Sequence, residues 1–229
     1  MSSATRSETG SSSSSLWRVE ILNRSGKTLS IARIVPVTEA EGPGRRFAVW
    51  FQGCPLRCPE CCNPEMLPFA GGRPVGVDQL CADMDAALAR GIEGVSLLGG
   101  EPFAQPGAAA ALARAAHGRR LTVMVFSGFT IEQLRESVDA AVHELLRETD
   151  ILVDGPYLRD RPERHRRWIG SSNQRVHFLS ERCQADDGRW QKPNTLELRL
   201  HGGELTINGF PAPRAVGLWK SLRIVQPAR

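Results

Sequence analysis

The chain has 229 residues, 41% of them hydrophobic and 24% charged, with a net charge of +4. That is the composition of an ordinary globular protein, long enough for one full core with a decorated end. No apolar run approaches the roughly 20 residues needed to span a bilayer, so no membrane partner is expected.

Residues 1–15 lack the basic and apolar regions of a signal peptide and read as a Ser-rich, disordered leader. Without an export signal, the six cysteines belong to a reducing cytoplasm, as ligands or buried thiols rather than bridges. Residues 19–22 and 28–37 suggest an opening hairpin or irregular segment. A turn follows at 41–44, then a continuous apolar strand of the buried type at 47–51.

Directly after that strand comes Cys54-Pro55-Leu56-Arg57-Cys58-Pro59-Glu60-Cys61, a C-x3-C-x2-C run in a Pro-rich loop. Three thiolates this close converge on one small inorganic centre. They suit an iron–sulfur cluster, a zinc ion or a redox thiol group. Zinc would want a fourth ligand and usually two C-x2-C pairs, and three near-adjacent cysteines cannot all pair among themselves. Three ligands would also leave one iron of a four-iron cluster unclaimed by protein.

Beyond a Pro/Gly-rich excursion through Pro74, helices and strands alternate. Val77, Leu80, Cys81, Met84 and Leu88 line one face of an amphipathic helix. Asp78 lies in its first turn and Gly91 ends it. Residues 95–98 form a strand, 108–116 an Ala-rich helix and 121–126 a strand. Thr130-Ile131-Glu132-Gln133 is a capping box that opens a helix to about Arg147. Strands follow at 151–153 and 176–179. This alternation predicts a parallel α/β sheet, with too few units for a closed eightfold barrel. An open partial barrel would carry its active groups at the C-terminal ends of its strands. The cysteine loop, Gly99-Gly100-Glu101, Ser127-Gly128 and Asp154-Gly155 all fall just there.

Arg159, Arg161, Arg164, Arg166 and Arg167 crowd one stretch with His165. They suit phosphate, a solvated loop face or a docking rim for an acidic protein. The lack of interleaved aromatics argues against nucleic acid. Past about Glu181 the pattern changes, and residues 195–208 read as a β-hairpin. The chain thus divides into a leader (1–15), a core (16–181) and an extension (182–229).

C-x3-C-x2-C followed one strand–helix unit later by Gly-Gly-Glu-Pro resembles the radical S-adenosylmethionine superfamily. Gly42-Pro43-Gly44-Arg45-Arg46, Phe51-Gln52-Gly53-Cys54 and Asn63 look like the small glycyl-radical-enzyme activases. Residues 150–155 (DILVDG) and 168–174 (WIGSSNQ) look like the activating proteins of anaerobic, class III ribonucleotide reductase. The resemblance covers about residues 40–180.

It implies that Cys54, Cys58 and Cys61 hold a [4Fe-4S] cluster whose open iron is chelated by S-adenosylmethionine. One electron would cleave the sulfonium C–S bond, and the resulting 5′-deoxyadenosyl radical would take hydrogen from the substrate. Gly99 and Gly100 would let the backbone approach the cofactor, and Glu101 would accept from its ammonium. Ser127 and Asp154 are candidates for ribose or carboxylate contacts, or for turn capping. Arg46 is an anion anchor or an exposed arginine beside a turn, and Asn173 faces the site or holds a loop. The partners implied are a glycyl radical enzyme, first an anaerobic ribonucleotide reductase, and an electron donor such as flavodoxin or ferredoxin.

Three departures stand out. Cys62 replaces the aromatic or histidine that usually follows the third cysteine, as a competing ligand or a small buried hydrophobe. Glu101 stands where many reductase activases carry Asp. The extension from about Arg182 lies outside the family core; its Cys183 reads as a plain loop cysteine, and Cys81 belongs to its helix. The alternatives are a relative acting on a peptide or small molecule, and a metal-binding module without catalysis.

Overall fold

Residues 28–201 and 204–209 are described by a computed structural model, and its sheet is built outward from one wholly buried strand. β1 (Thr28–Thr38) and β2 (Arg46–Phe51) are antiparallel neighbours. The turn between them uses Gly42 and Gly44 at φ +139° and +75°, conformations a side chain would strain. β3 (Arg73–Gly76) adds to the far side of β1; its Pro74 is tolerated because this is the sheet edge.

α1 (Val77–Leu88) leads to β4 (Gly94–Gly99), α2 (Pro106–Gly118) to β5 (Thr122–Phe126), and two helices to β6 (Ile151–Asp154). β7 (Arg175–Phe178) returns beside β6. The sheet order is β3-β1-β2-β4-β5-β6-β7. Only β2, β4, β5 and β6 run parallel, which corrects the expectation of a parallel sheet throughout. Parallel pairing needs a long crossover, and residues 155–174, before β7, contain no helix.

The two faces of the sheet are separated by the period of two. Phe47, Val49, Phe51, Val95, Leu97, Val123 and Val125 pack with the helices in the main core. Ala48, Trp50 and Leu98 form a second cluster, and Met124, Ile151, Val153, Trp168 and Ile169 a third. Helices therefore cover one face, and the other holds the site.

One helix expected from Thr130 to Arg147 is two. α3 (Ile131–Arg135) has the capping box, with Thr130 and Gln133 exchanging hydrogen bonds. α4 (Ala140–Arg147) starts anew because the Asp139 carboxylate accepts from Ala141 N at 2.8 Å, a capping contact that ends one helix and opens another. β8 (Glu197–His201) and β9 (Glu204–Asn208) make the expected hairpin. It docks on the end of β1: Glu197 accepts from Glu39 N, Arg199 donates to Val37 O, and Gly209 N donates to Glu41. The leader and residues 19–22 lie outside the described residues. Among those described, no helix is long and apolar enough to cross a membrane.

Candidate active site

The cysteine loop is shaped by the chain itself. Arg57 and Glu60 sit at φ 47° and 55°, left-handed conformations that bulky residues adopt only when the surroundings fix them. Gln52 Nε2 holds Glu65 O and Pro68 O, while Gly53 N and Cys54 N bond to Met66 O and Leu67 O. Cys54, Cys58 and Cys61 consequently line one cavity of about 410 Å³, together with Gly99, Gly100, Glu101, Ser127 and Tyr157. This cavity opens at the C-terminal ends of the parallel strands, as the strand-end pattern predicts.

The donor set fits a cluster. Among the described residues no three His, Cys, Asp or Glu side chains are gathered as one metal ion would require. Cys54, Cys58 and Cys61 face one space, and together they would hold a small inorganic centre there. Asn63 N donates to Cys61 Sγ at 3.4 Å, a contact of the kind that tunes cluster potentials. Burial pushes the Cys54 thiol up to about 11 and raises Cys58 too, so loading such a centre would release protons. Its neighbour Cys62 lowers the Cys61 thiol, while Cys61 and burial raise Cys62. Cys62 is exposed, not the small buried hydrophobe.

Glu101 is 1% exposed and nearly fully bonded. Its Oε1 accepts from Phe103 N at 3.0 Å and Ser127 Oγ at 3.0 Å, and its Oε2 from Gly128 N at 2.9 Å. An ionised carboxylate has about four acceptor positions, so one remains for a donor in the cavity. Burial drives its carboxyl up to about 7.

Gly100 is required, though by the protein. A Cβ there would stand 2.4 Å from Gly53 O, and at Gly99, where φ is +100°, 2.8 Å from Trp50 Cα and Phe51 N. The crowding comes from the backbone before the cysteine loop. Gly100 N bonds to Phe51 O and Glu101 N to Gly53 O, so the two loops are clasped.

Several candidate residues have other occupations. Asp154 does not line the cavity: its carboxylate receives Ile131 N at 2.7 Å and the Arg175 guanidinium. Asn173 donates to Pro156 O at 2.8 Å and holds a loop. Arg46 is neither exposed nor an anion anchor. It is fully buried and bonded to Ser96, Val95 O and Thr122, because it shares the helix-free face of the sheet with Ala48 and Trp50. In the arginine cluster, Arg167 is buried over the Trp168 ring at 4.2 Å and bonded to Thr195 and Arg189 O. Arg166 is bound to Glu163, Ser172 O and Gln174 O. Only Arg159, Arg161 and Arg164 are exposed, and Arg159 pairs with Glu60 of the cysteine loop.

Sequence reasoning assigned no site role to several further residues of the cavity wall, among them Arg33, Glu41, Trp50, Trp168 and Asn208. The signal for Trp50 was its alternation with Arg46 and Ala48; Asn208 carried none. Trp168 has φ 63°, an outlier for a large residue, held by Asn194 on its backbone N and by edge packing on Trp190 at 4.8 Å. A second cavity, of about 290 Å³, opens at the N-terminal ends of the strands beside Glu93, Thr122, Ile151 and Cys183. Cys183 lines that cavity and not the one with the cysteine loop.

Residues 40–177 match the model of the family described as 4Fe-4S single cluster domain. The anaerobic ribonucleoside-triphosphate reductase-activating protein of Salmonella typhi is 31% identical over 152 residues, which cover 63% of this chain and 95% of the relative. The same protein of Escherichia coli is 30% identical over the same extent. The pyruvate formate-lyase-activating enzyme of Clostridium pasteurianum is 39% identical over 69 residues, 29% of each chain.

Proposed function

We propose that this chain, which belongs to the 4Fe-4S single cluster domain family and to the anaerobic ribonucleoside-triphosphate reductase-activating proteins, is a radical S-adenosylmethionine enzyme that generates a glycyl radical on a partner reductase. The observation that carries this reading is the shared cavity: Cys54, Cys58 and Cys61, with Cys62 beside them, line one space with Gly100 and Glu101 at the C-terminal ends of parallel strands. When bound, the cluster supplies one electron and S-adenosylmethionine the alkyl fragment that takes a hydrogen atom from the partner's glycine.

The chain's own residues do the positioning. Cys54, Cys58 and Cys61 would hold the cluster. Glu101, kept in place by Phe103 N, Gly128 N and Ser127, would receive the cofactor's ammonium. Ser127 acts through Glu101, and the Asp154 network supports the start of α3 rather than the cofactor. Leu56, against Gly128, and Tyr157 would narrow the cavity against water.

The finer architecture we assign is an open partial barrel of the radical S-adenosylmethionine type across the described residues up to 181, extended by the described residues from 182 onward. A one-electron donor of the flavodoxin or ferredoxin class and a reducing cytoplasm follow from the chemistry. The test is anaerobic reconstitution with iron and sulfide, then S-adenosylmethionine, reductant and the cognate reductase. Electron paramagnetic resonance should show a glycyl radical on the larger partner. Cofactor cleavage with consumption of a peptide or small molecule, and no radical on the reductase, would sink the proposal.

A further inference from the structure

The cavity that holds the cysteines has a second wall, made by residues with no place in the chemistry above. Asn208 ends β9, is 2% exposed, and lines the cavity. Neither its Nδ2 nor its Oδ1 has a hydrogen-bond partner among the described residues. A buried amide left unsatisfied at both ends is costly unless something else completes it. Around it stand Glu41, whose carboxylate accepts from Gly209 N at 3.0 Å, and Arg33, whose guanidinium lies 4.2 Å over Trp50 with its buried Nε also unpartnered among the described residues. Glu41, Arg33 and Trp50 line the same cavity.

The chemistry of this wall selects its ligand. A phosphate or carboxylate would meet Arg33 but be repelled by Glu41, and an amine would suffer the reverse. An amide that donates and accepts at once, flanked by a donor and an acceptor, matches a neutral group carrying both. The main chain of an extended peptide is such a group, with N–H and C=O side by side. Glycine has no side chain, so a site that selects a glycine-bearing segment must grip its backbone.

The position of Asn208 in the chain agrees. It lies beyond residues 40–177 matched by the family model, and relatives matched over 95% of their length supply only 152 aligned residues. Cofactor handling belongs to that shared portion; a residue delivered by the extension is free to serve partner choice. We infer that Asn208, carried to the cavity by the β8–β9 hairpin, forms with Arg33 and Glu41 a subsite that holds the main chain of the partner's glycine-bearing segment. This rests on the activase reading.

The probe is a synthetic peptide copying the glycine-bearing segment of the anaerobic reductase encoded in the same genome. Its binding to the full, reconstituted chain is followed anaerobically by the fluorescence of Trp50 and Trp168. Asn208→Ala should weaken peptide binding about tenfold or more, the loss of two hydrogen bonds, and raise the KM for intact reductase. S-adenosylmethionine affinity and the melting temperature should hold. Asn208→Gln should recover part of the affinity, and if Asn208→Ala fails to fold, Glu41→Gln carries the same expectation. Unchanged peptide affinity in a folded variant overturns the subsite while leaving the activase reading intact. So does a variant that loses S-adenosylmethionine and keeps the peptide, since the wall would then serve an adenine or methionine. A wild-type chain that binds no peptide and raises no radical on the reductase overturns both.

Discussion

Ser127 Oγ donates a hydrogen bond of 3.0 Å to Glu101 Oε1. The two residues follow neighbouring parallel strands, β5 and β4, so the sheet's own register sets the carboxylate beside the cysteine loop. Glu101→Gln should keep the iron and weaken S-adenosylmethionine binding ten- to a hundredfold, as expected for a charge-assisted contact. Its new amide would also face Gly128 N–H, adding roughly 1–3 kcal/mol of instability. Ser127→Ala should show a smaller loss of affinity. Titration calorimetry with iron-loaded variants decides, and unaltered affinity in Glu101→Gln would return Gly-Gly-Glu-Pro to a plain structural turn.

Burial holds both Glu101 and Glu41 at about 7, against an ordinary value of 4.5. A carboxyl raised in this way contributes stability that is whole below about pH 4.5 and is lost as the pH climbs through about 7. The cofactor-free chain should therefore melt at a lower temperature at about pH 7.5 than at about pH 5, by at most about 3 kcal/mol per group. Glu41→Gln and Glu101→Gln should each flatten that profile. A cation needs the ionised form of Glu101, so S-adenosylmethionine affinity should rise over the same window. An affinity that falls as the pH rises would contradict this assignment.

Cys54→Ala, Cys58→Ala and Cys61→Ala should each abolish the brown, air-sensitive absorbance of a reconstituted cluster. Cys62→Ala, Cys81→Ala and Cys183→Ala should retain about four iron per chain. Loss of iron in Cys62→Ala with retention in Cys61→Ala would exchange their roles.

Charge reversal separates the exposed arginines from the buried ones. Arg161→Glu with Arg164→Glu should slow radical formation on the reductase and steepen its salt dependence, while cofactor cleavage driven by dithionite persists. Arg167→Glu should instead lower the melting temperature sharply, because it puts an acid where a guanidinium meets Arg189 O, Thr195 and Trp168. Equal effects of the two changes on stability would disprove this division.

Much of the site was legible because its parts are local. A cysteine loop after an apolar run, and Gly-Gly-Glu after the next strand, declare themselves by spacing. What stayed hidden depended on contacts across the chain. Arg46 looked like a turn residue until its partners Ser96 and Thr122, far along the sequence, supplied a buried berth. The break at Asp139 was written in a capping residue inside an otherwise helical pattern. The antiparallel return of β7 could be foreseen only from the missing crossover helix. Asn208 gave no sign at all, since an asparagine before a glycine reads as a turn until the hairpin is docked.

The backbone clasp between Phe51–Gly53 and Gly100–Glu101 bears on the order in which the enzyme is assembled. Its hydrogen bonds are drawn entirely from main-chain groups, so they form with the sheet and owe nothing to iron. In a zinc finger, metal ligation supplies the folding energy; here the two loops are joined by main-chain hydrogen bonds that use no cysteine side chain. A chain stripped of iron should therefore keep its cooperative melting transition and take up iron and sulfide again without a refolding step, as calorimetry before and after chelation would test.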